Sequence, residues 1–154
     1  MFKKILVATD GSALSDKAVE AAMSFAAAQG ASIVGLSVAE IYPFMLMPEA
    51  GAMVDLSTYE ELQDKSTQQA IERLKAMAAA ANVNCETLST RGVHPYEEII
   101  NTARDKGCDL IWMGSHGRKG LDRLLLGSQA QRVLSHSTLP VMVYREQAAA
   151  GSDV

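Results

Sequence analysis

Apolar residues occur in this chain as short runs that alternate with longer amphipathic stretches. The continuous apolar runs at residues 5–8 and 110–113 predict buried strands, and residues 32–38 predict another. Residues 84–90 alternate in polarity, and residues 141–144 form an apolar run after a proline. Both segments predict further strands, which makes five in all.

Between these strands, apolar residues recur at helical spacing. The first predicted helix runs from an N-cap at Ser15 to a stop at Gly30. A second covers residues 58–81, and Pro95 suits the first turn of a third. The fourth opens at Gly127 or at the serine that follows. The chain therefore contains about four helices, one between each pair of consecutive strands.

Strands that alternate with helices are typical of βαβ units with right-handed crossovers. We therefore predict a Rossmann-like α/β domain with a mostly parallel sheet and helices on both faces. In such sheets ligands bind beyond the carboxyl ends of the strands, where the strand order reverses. If the first and fourth strands are neighbours, Thr9 and Asp10 meet Gly114 and Gly117 in one crevice.

Composition and charge narrow the class of protein. The 154 residues are 48% hydrophobic and 21% charged, as in a single globular domain, and the net charge of −4 argues against nucleic-acid binding. No apolar run approaches the ~20 residues that membrane insertion requires. The N-terminus has no signal-peptide cleavage site, so we expect a cytoplasmic protein. Cys85 and Cys108 lack metal-ligand spacing, which predicts two reduced, buried thiols.

Two irregular segments interrupt the regular pattern. Residues 39–57 include the apolar run 44–47, which predicts either a lid or partner contact, or a segment that folds over the sheet edge. Residues 118–126 contain Arg118, Lys119 and Arg123. These three side chains could neutralise phosphates or could form a solvated loop surface.

Glycines at the end of the fourth strand carry the strongest functional signal. Gly114 and Gly117 follow the apolar run 110–113, and Gly127 and Ser128 open the last helix after nine further residues. Glycine lets the backbone approach an anion closely, and a helix N-terminus offers free N–H groups. The pattern is neither a Walker A loop nor a dinucleotide fingerprint. It predicts a phosphate cradle, and the alternative is a set of ordinary turn glycines.

This Gly-x2-Gly-x9-Gly-Ser motif resembles the signature of the ATP-binding branch of the universal stress protein family. Residues 5–12 resemble the opening strand and acidic turn of that family, and residues 108–117 resemble its fourth strand and loop. Residues 124–128 and 140–143 complete the similarity. The resemblance extends from the first strand to the last.

The resemblance implies a three-layer, doubly wound sheet of five mostly parallel strands in the order 3-2-1-4-5. We expect the domain to cover residues 1–146 and residues 147–154 to be a frayed tail. The implied cofactor is ATP, with AMP or ADP as alternatives, and magnesium could accompany the phosphates. The implied role is that of a regulatory stress-response module, with an unknown protein partner.

The resemblance also assigns the parts of the nucleotide site. Ala8, Thr9 and Asp10 would line the adenosine pocket, and the backbone of Val38 would contact adenine. Asp10 could bind ribose hydroxyls or a metal, or it could simply cap the turn that follows it. The residues that would hold ribose and phosphates are Met113, Gly114, His116, Gly117, Gly127, Ser128, Gln129 and Ala130.

Assembly and activity are the remaining expectations. In this family the last strand often pairs with its twin, and Val141–Tyr144 is apolar enough to predict a homodimer through that edge. We find no strong general base in the motif and assign no catalytic residue. The alternative function is a slow ATPase or an enzyme that phosphorylates itself at Ser128 or nearby. An adenylate-forming or sulphur-transferring relative, or a scaffold without a ligand, fits the residues less well.

Overall fold

The computed structural model describes residues 1–43, 56–116 and 125–147. Its strands form one sheet in the order β3-β2-β1-β4-β5, and every neighbouring pair is parallel. The predicted fold class and strand order are therefore confirmed. The strands are β1 (Lys4–Ala8), β2 (Ser32–Glu40), β3 (Cys85–Gly92), β4 (Leu110–Gly114) and β5 (Val141–Tyr144).

Helices cover both faces of this sheet and give the three layers that the sequence predicts. The helices are α1 (Ala13–Gln29), α2 (Leu56–Ala80), α3 (Pro95–Asp105) and α4 (Ser128–His136). Side chains alternate along each strand, so Ile5 and Val7 of β1 pack with α1 and α2, while Leu6 packs with α3 and α4. Two apolar cores result, one on each face.

The start of α1 differs from the sequence prediction. The N-cap is Ser12, whose Oγ accepts a hydrogen bond from the Ser15 N–H at 3.2 Å. Ser15 is the third residue of the helix and is buried. The helix begins earlier than predicted because the residues after Asp10 already form its capping turn. Gly30 ends the helix in the left-handed conformation, with φ 66°, as predicted.

Strands β2 and β3 extend further than their apolar patterns predict. Ala39 pairs with Arg91, and Glu40 pairs with Gly92, two residues beyond the expected ends. Parallel pairing satisfies the backbone groups of both strands, whatever their side chains. The extension carries the Glu40 carboxylate to the carboxyl edge of the sheet, where the crevice lies.

A tryptophan fixes α1 against β4. Trp112 is buried, its Nε1–H donates to the carbonyl oxygen of Ala18 at 2.9 Å, and its ring lies 5.3 Å from that of Phe25. The side chain is part of the core, as the sequence predicts. Because it joins the two elements, the turn before α1 and the end of β4 keep a fixed spacing.

Both cysteines are free thiols in the structure. Cys108 is buried as predicted, and this burial raises its pKa to about 11, so the thiol stays protonated at neutral pH. Cys85 is only partly buried, and desolvation raises its pKa as well. Neither thiol has the lowered pKa of a reactive cysteine.

Several predictions fall on parts of the chain outside the described residues. These are the apolar run 44–47, Gly117, the basic residues Arg118, Lys119 and Arg123, and residues 148–154 of the expected tail. The proposed domain boundary at residue 146 stays a prediction. Within the described ranges, no helix combines the length and the apolar character needed to cross a membrane.

Candidate functional site

A cavity of about 420 Å³ opens at the carboxyl ends of β1, β2 and β4. Its volume lies within the range of small-molecule sites. Gly117 lies outside the described residues. All other predicted site residues line the cavity: Ala8, Thr9, Asp10, Val38, Met113, Gly114, His116, Gly127, Ser128, Gln129 and Ala130.

Sheet register explains why residues distant in sequence meet here. Strand β1 lies between β2 and β4, with Val7 paired to Trp112 and Ala8 paired to Leu36. The chain therefore leaves β1 and β4 at the same edge, and helices depart to opposite faces. This is the point where strand order reverses, as the sequence predicts for a ligand crevice.

The turn between β1 and α1 is held by side-chain hydrogen bonds. The buried Thr9 Oγ1 accepts from the Gly11 N–H and from the Ser15 hydroxyl, both at 3.1 Å. The Asp10 N–H donates to Ser15 Oγ at 3.2 Å. Arg73 of α2 adds a bond from Nη2 to the carbonyl oxygen of Gly11 at 2.8 Å. The backbone beneath the cavity is thus fixed before any ligand binds.

Asp10 has the capping role that the sequence left open. Its Oδ1 accepts from the Ser12 N–H at 2.9 Å, which closes an Asx-turn. The carboxylate also lines the cavity. Asp10 therefore combines a turn-capping role with a place in the cavity lining. The ligand role of Asp10 stays a prediction.

The N-terminus of α4 presents backbone donors to the cavity. Gly127 is the N-cap, with φ −60° and ψ 154°, and makes no side-chain cap bond. The first N–H to bond within the helix is that of Gln131, which donates to the carbonyl oxygen of Gly127 at 3.0 Å. The N–H groups of Ser128, Gln129 and Ala130 therefore precede the intrahelical ladder. They form the expected anion-binding geometry.

The end of β4 is tied to this helix start and to β5. The Gly127 N–H donates to the carbonyl oxygen of Ser115 at 2.7 Å, and the Ser115 N–H donates to that of Tyr144 at 2.8 Å. The first bond joins the start of the segment after Gly114 to its end at Gly127, and the second joins that start to the end of β5. The two halves of the glycine motif consequently lie side by side in the described structure.

Gln129 has a structural role that sequence reasoning missed. Its side-chain Oε1 accepts from the Tyr96 N–H at 2.9 Å, in the first turn of α3. The carboxamide therefore caps α3 and holds the N-termini of two helices together. The backbone N–H of Gln129 remains for the predicted phosphate contact.

The side chain of His116 lies beside Ser115 at the end of β4. Its Nδ1 lies 2.9 Å from the Ser115 hydroxyl. Its Nε2 is buried and has no hydrogen-bond partner within the described part of the chain. A buried polar atom without a partner is costly. His116 lines the cavity, and its contact with a ligand stays a prediction.

Comparison with known proteins decides the family. Residues 1–145 match the model of the universal stress protein family. The chain belongs to this family. It is 36% identical over 146 residues to the universal stress protein MJ0531 of Methanocaldococcus jannaschii, covering 95% of this chain and 84% of that protein.

Solved structures of universal stress proteins share the fold. The structure of MJ0577, reported as a structure-based assignment of biochemical function, has a TM-score of 0.76 and 28% identity and covers 97% of this chain and 99% of that one. A universal stress protein in complex with cAMP has a TM-score of 0.67 and 22% identity, with coverage of 94% and 97%. The second likeness concerns the fold alone.

One wall of the cavity in this universal stress protein was absent from the sequence prediction. Tyr42 after β2 and Gln63, Ser66 and Thr67 of α2 line the cavity on the side away from α4. The sequence does contain a signal for the α2 residues of this wall. The buried face of α2 is apolar at Ala70, Leu74 and Ala78 but polar towards the helix start. A polar segment on a buried stripe indicates a polar ligand.

Charge is distributed unevenly around the cavity of this universal stress protein. Asp10 and Glu40 are the carboxylates in the lining, and no lysine or arginine lines the cavity within residues 1–43, 56–116 and 125–147. Attraction for an anion in the described structure therefore comes from the backbone donors of α4. Glu40, at the end of β2, places a carboxylate on the opposite side.

Proposed function

We propose that this universal stress protein binds an adenine nucleotide, with ATP as the first choice and AMP or ADP as alternatives. The observation that carries the proposal is the α4 N-terminus, whose three leading N–H groups open into a cavity of about 420 Å³. Phosphates bind at such helix starts. The family relative solved with cAMP supports an adenine ligand.

In the proposed complex, the phosphates bind the N–H groups of Ser128, Gln129 and Ala130, and the Ser128 hydroxyl adds a donor. Met113, Gly114, His116 and Gly127 surround the ribose and phosphates. Ala8, Thr9, Asp10 and Val38 line the adenosine end. A Cβ atom added to Gly114 would meet nothing nearer than 3.5 Å, so the protein itself leaves room for a side chain there. We assign that space to the ligand.

Magnesium would reach the cavity together with the phosphates. Among the described residues there is no cluster of three His, Cys, Asp or Glu side chains that could hold a metal ion alone. Mg²⁺ commonly keeps several waters and binds one or two carboxylates plus substrate phosphates. The donor set fits that mode, with Asp10 as the protein ligand. The cation would neutralise charge between phosphate oxygens.

Titration calorimetry tests the proposal directly. We expect heat of binding for ATP, ADP or AMP, and mass spectrometry of the purified protein should detect a copurified adenine nucleotide. Inorganic phosphate at the same concentration should give a much weaker signal because it lacks the adenosine contacts. Correctly folded protein that gives no heat with millimolar adenine nucleotides would contradict the proposal.

We infer a regulatory role because the described lining supplies groups that suit the binding of a nucleotide. Nucleotide binding would favour one arrangement of the protein over another, in proportion to its differential affinity for the two. The unknown protein partner and the cytoplasmic location belong to this proposal.

A homodimer through β5 is part of the same proposal. Strand β5 is the last strand of the sheet and pairs with β4 on one side. Its Met142 side chain is 40% exposed, which leaves apolar surface at an edge that can pair with another chain. The Ser115 N–H donates a hydrogen bond to the end of this strand, so the dimer interface would lie next to the nucleotide site.

We expect Met142→Lys to convert the dimer into a monomer, since a charge at the strand edge opposes pairing. Light scattering after size-exclusion chromatography measures the mass. Leu62→Lys is the matched control, because Leu62 is 62% exposed on α2 and lies on another element. A wild-type protein that runs as a monomer at all concentrations would refute the dimer.

A further inference from the structure

The side of the cavity away from α4 carries groups suited to a heterocyclic base. Gln63 of α2 lines this wall, and its Nε2 donates to the hydroxyl of Tyr59 at 2.8 Å. Tyr42 lines the same wall, and its ring meets that of Tyr59 edge-on, with centroids 6.3 Å apart. The wall therefore combines a carboxamide with aromatic surface, and both suit a flat polar ring.

Electrostatics decides which end of a nucleotide faces this wall. The Glu40 carboxylate accepts from the Tyr42 hydroxyl at 3.4 Å and lines the cavity. The backbone donors that attract phosphates lie on the other side of the cavity, at the α4 N-terminus. Strands β2 and β4 are separated by β1, so the two ends lie roughly 10 Å apart. Phosphates at α4 thus place the base near Gln63.

The turn of α2 that carries Gln63 is fixed in place. Arg91 of β3 forms ion pairs with Asp64 and, at 3.7 Å, with Glu60, which lie on that turn. Thr67 donates to the carbonyl oxygen of Gln63 at 2.8 Å, so its hydroxyl is already satisfied. Together these contacts hold the carboxamide at a defined distance from the sheet, as a specificity group requires.

We propose that Gln63 selects adenine over guanine, an inference that rests on the proposed nucleotide site. With one amide N–H engaged by Tyr59, the carboxamide keeps one N–H and its carbonyl oxygen. This pair matches the N7 acceptor and N6 amino donor of adenine. Guanine presents two acceptors, N7 and O6, at the same edge, so its O6 would face the Gln63 oxygen.

Calorimetric titration of ATP and GTP against wild-type protein and Gln63→Ala tests the inference. We expect the wild type to prefer ATP by about tenfold or more and Gln63→Ala to bind the two within about threefold. Gln68→Ala is the matched control: Gln68 is an exposed glutamine of the same helix that bonds Glu72. Its preference should equal that of the wild type.

A second variant keeps the test decisive. Gln63→Met keeps the approximate length of the side chain but removes both its N–H donors and its carbonyl acceptor, so it should also lose the preference for ATP, with circular dichroism confirming the fold. A preference that persists in both variants overturns the role of Gln63 and leaves the nucleotide site intact. A folded wild-type protein that binds neither nucleotide overturns the proposed function itself.

Discussion

Gly127→Val should abolish nucleotide binding, with Kd for ATP rising at least about 100-fold, which corresponds to about 2.7 kcal/mol. Gly127 is the N-cap of α4 and lines the cavity, so a branched side chain there would occupy the space beside the leading N–H groups. Three backbone donors would lose access to the phosphates at once. Binding energy concentrated at one helix start is lost by a single substitution.

The fold should survive this substitution. Gly127 has φ −60° and ψ 154°, an extended conformation that valine adopts readily. Its N–H bond to Ser115 uses only backbone atoms and remains available. We therefore expect a circular dichroism spectrum and urea midpoint close to those of wild type, while calorimetry records no binding.

Two related variants make the result interpretable. Gly127→Ala adds a single methyl group and should weaken binding by an intermediate factor. Leu134→Val places a valine on the exposed side of the same helix, where it should leave affinity unchanged. ATP affinity of Gly127→Val within about threefold of the wild type would contradict the phosphate site at α4. The related test at Gly117 concerns a residue outside the described structure.

Gly35→Val should lower the free energy of unfolding by about 2 to 3 kcal/mol. A Cβ atom at Gly35 would lie 2.5 Å from Cδ2 and 2.9 Å from Cδ1 of Leu74. Leu74 is only 1% exposed, so its side chain cannot move aside into solvent. Valine normally favours strands, and sequence propensity alone predicts stabilisation. A loss of stability would therefore show that the packing against Leu74 outweighs the strand propensity of valine, and a gain would show the reverse.

Urea denaturation of a double-mutant cycle measures this contact. Leu74→Ala alone should cost about 2 to 5 kcal/mol because it leaves a cavity in the core. The pair Gly35→Val and Leu74→Ala should cost clearly less than the sum, since the valine fills the vacated space. Two results would contradict the close contact between Gly35 and Leu74. One is a Gly35→Val variant as stable as the wild type, and the other is a double mutant whose loss of unfolding free energy equals the sum of the two single losses.

Prediction from sequence succeeded where the signal is local and periodic. Each strand was predicted from an apolar run or, for β3, from alternating polarity, and Pro95 and Gly30 marked a helix start and a helix end correctly. Prediction failed at the N-cap of α1, where Ser12 and Ser15 are both capping residue types. The choice between them depends on the Asx-turn at Asp10, which propensities do not encode.

For the site, too, prediction from sequence succeeded for some residues and failed for others. Glycines and short polar residues next to strand ends marked one side of the cavity, because topology alone brings strand ends to a common edge. Gln63 and Tyr42 gave no comparable signal, since an isolated polar residue near a helix start usually faces solvent. Gln129 was assigned to the ligand, although its side chain caps α3.

The sequence by itself determined the order of elements, the parallel sheet and the position of the glycine motif, because periodicity and turn residues act over a few neighbouring positions. Only the tertiary structure decided that α2 supplies the far wall of the cavity and that Gly35 accommodates Leu74. Those contacts join residues dozens of positions apart. They depend on the distance between packed surfaces, which side-chain volume and backbone geometry set together.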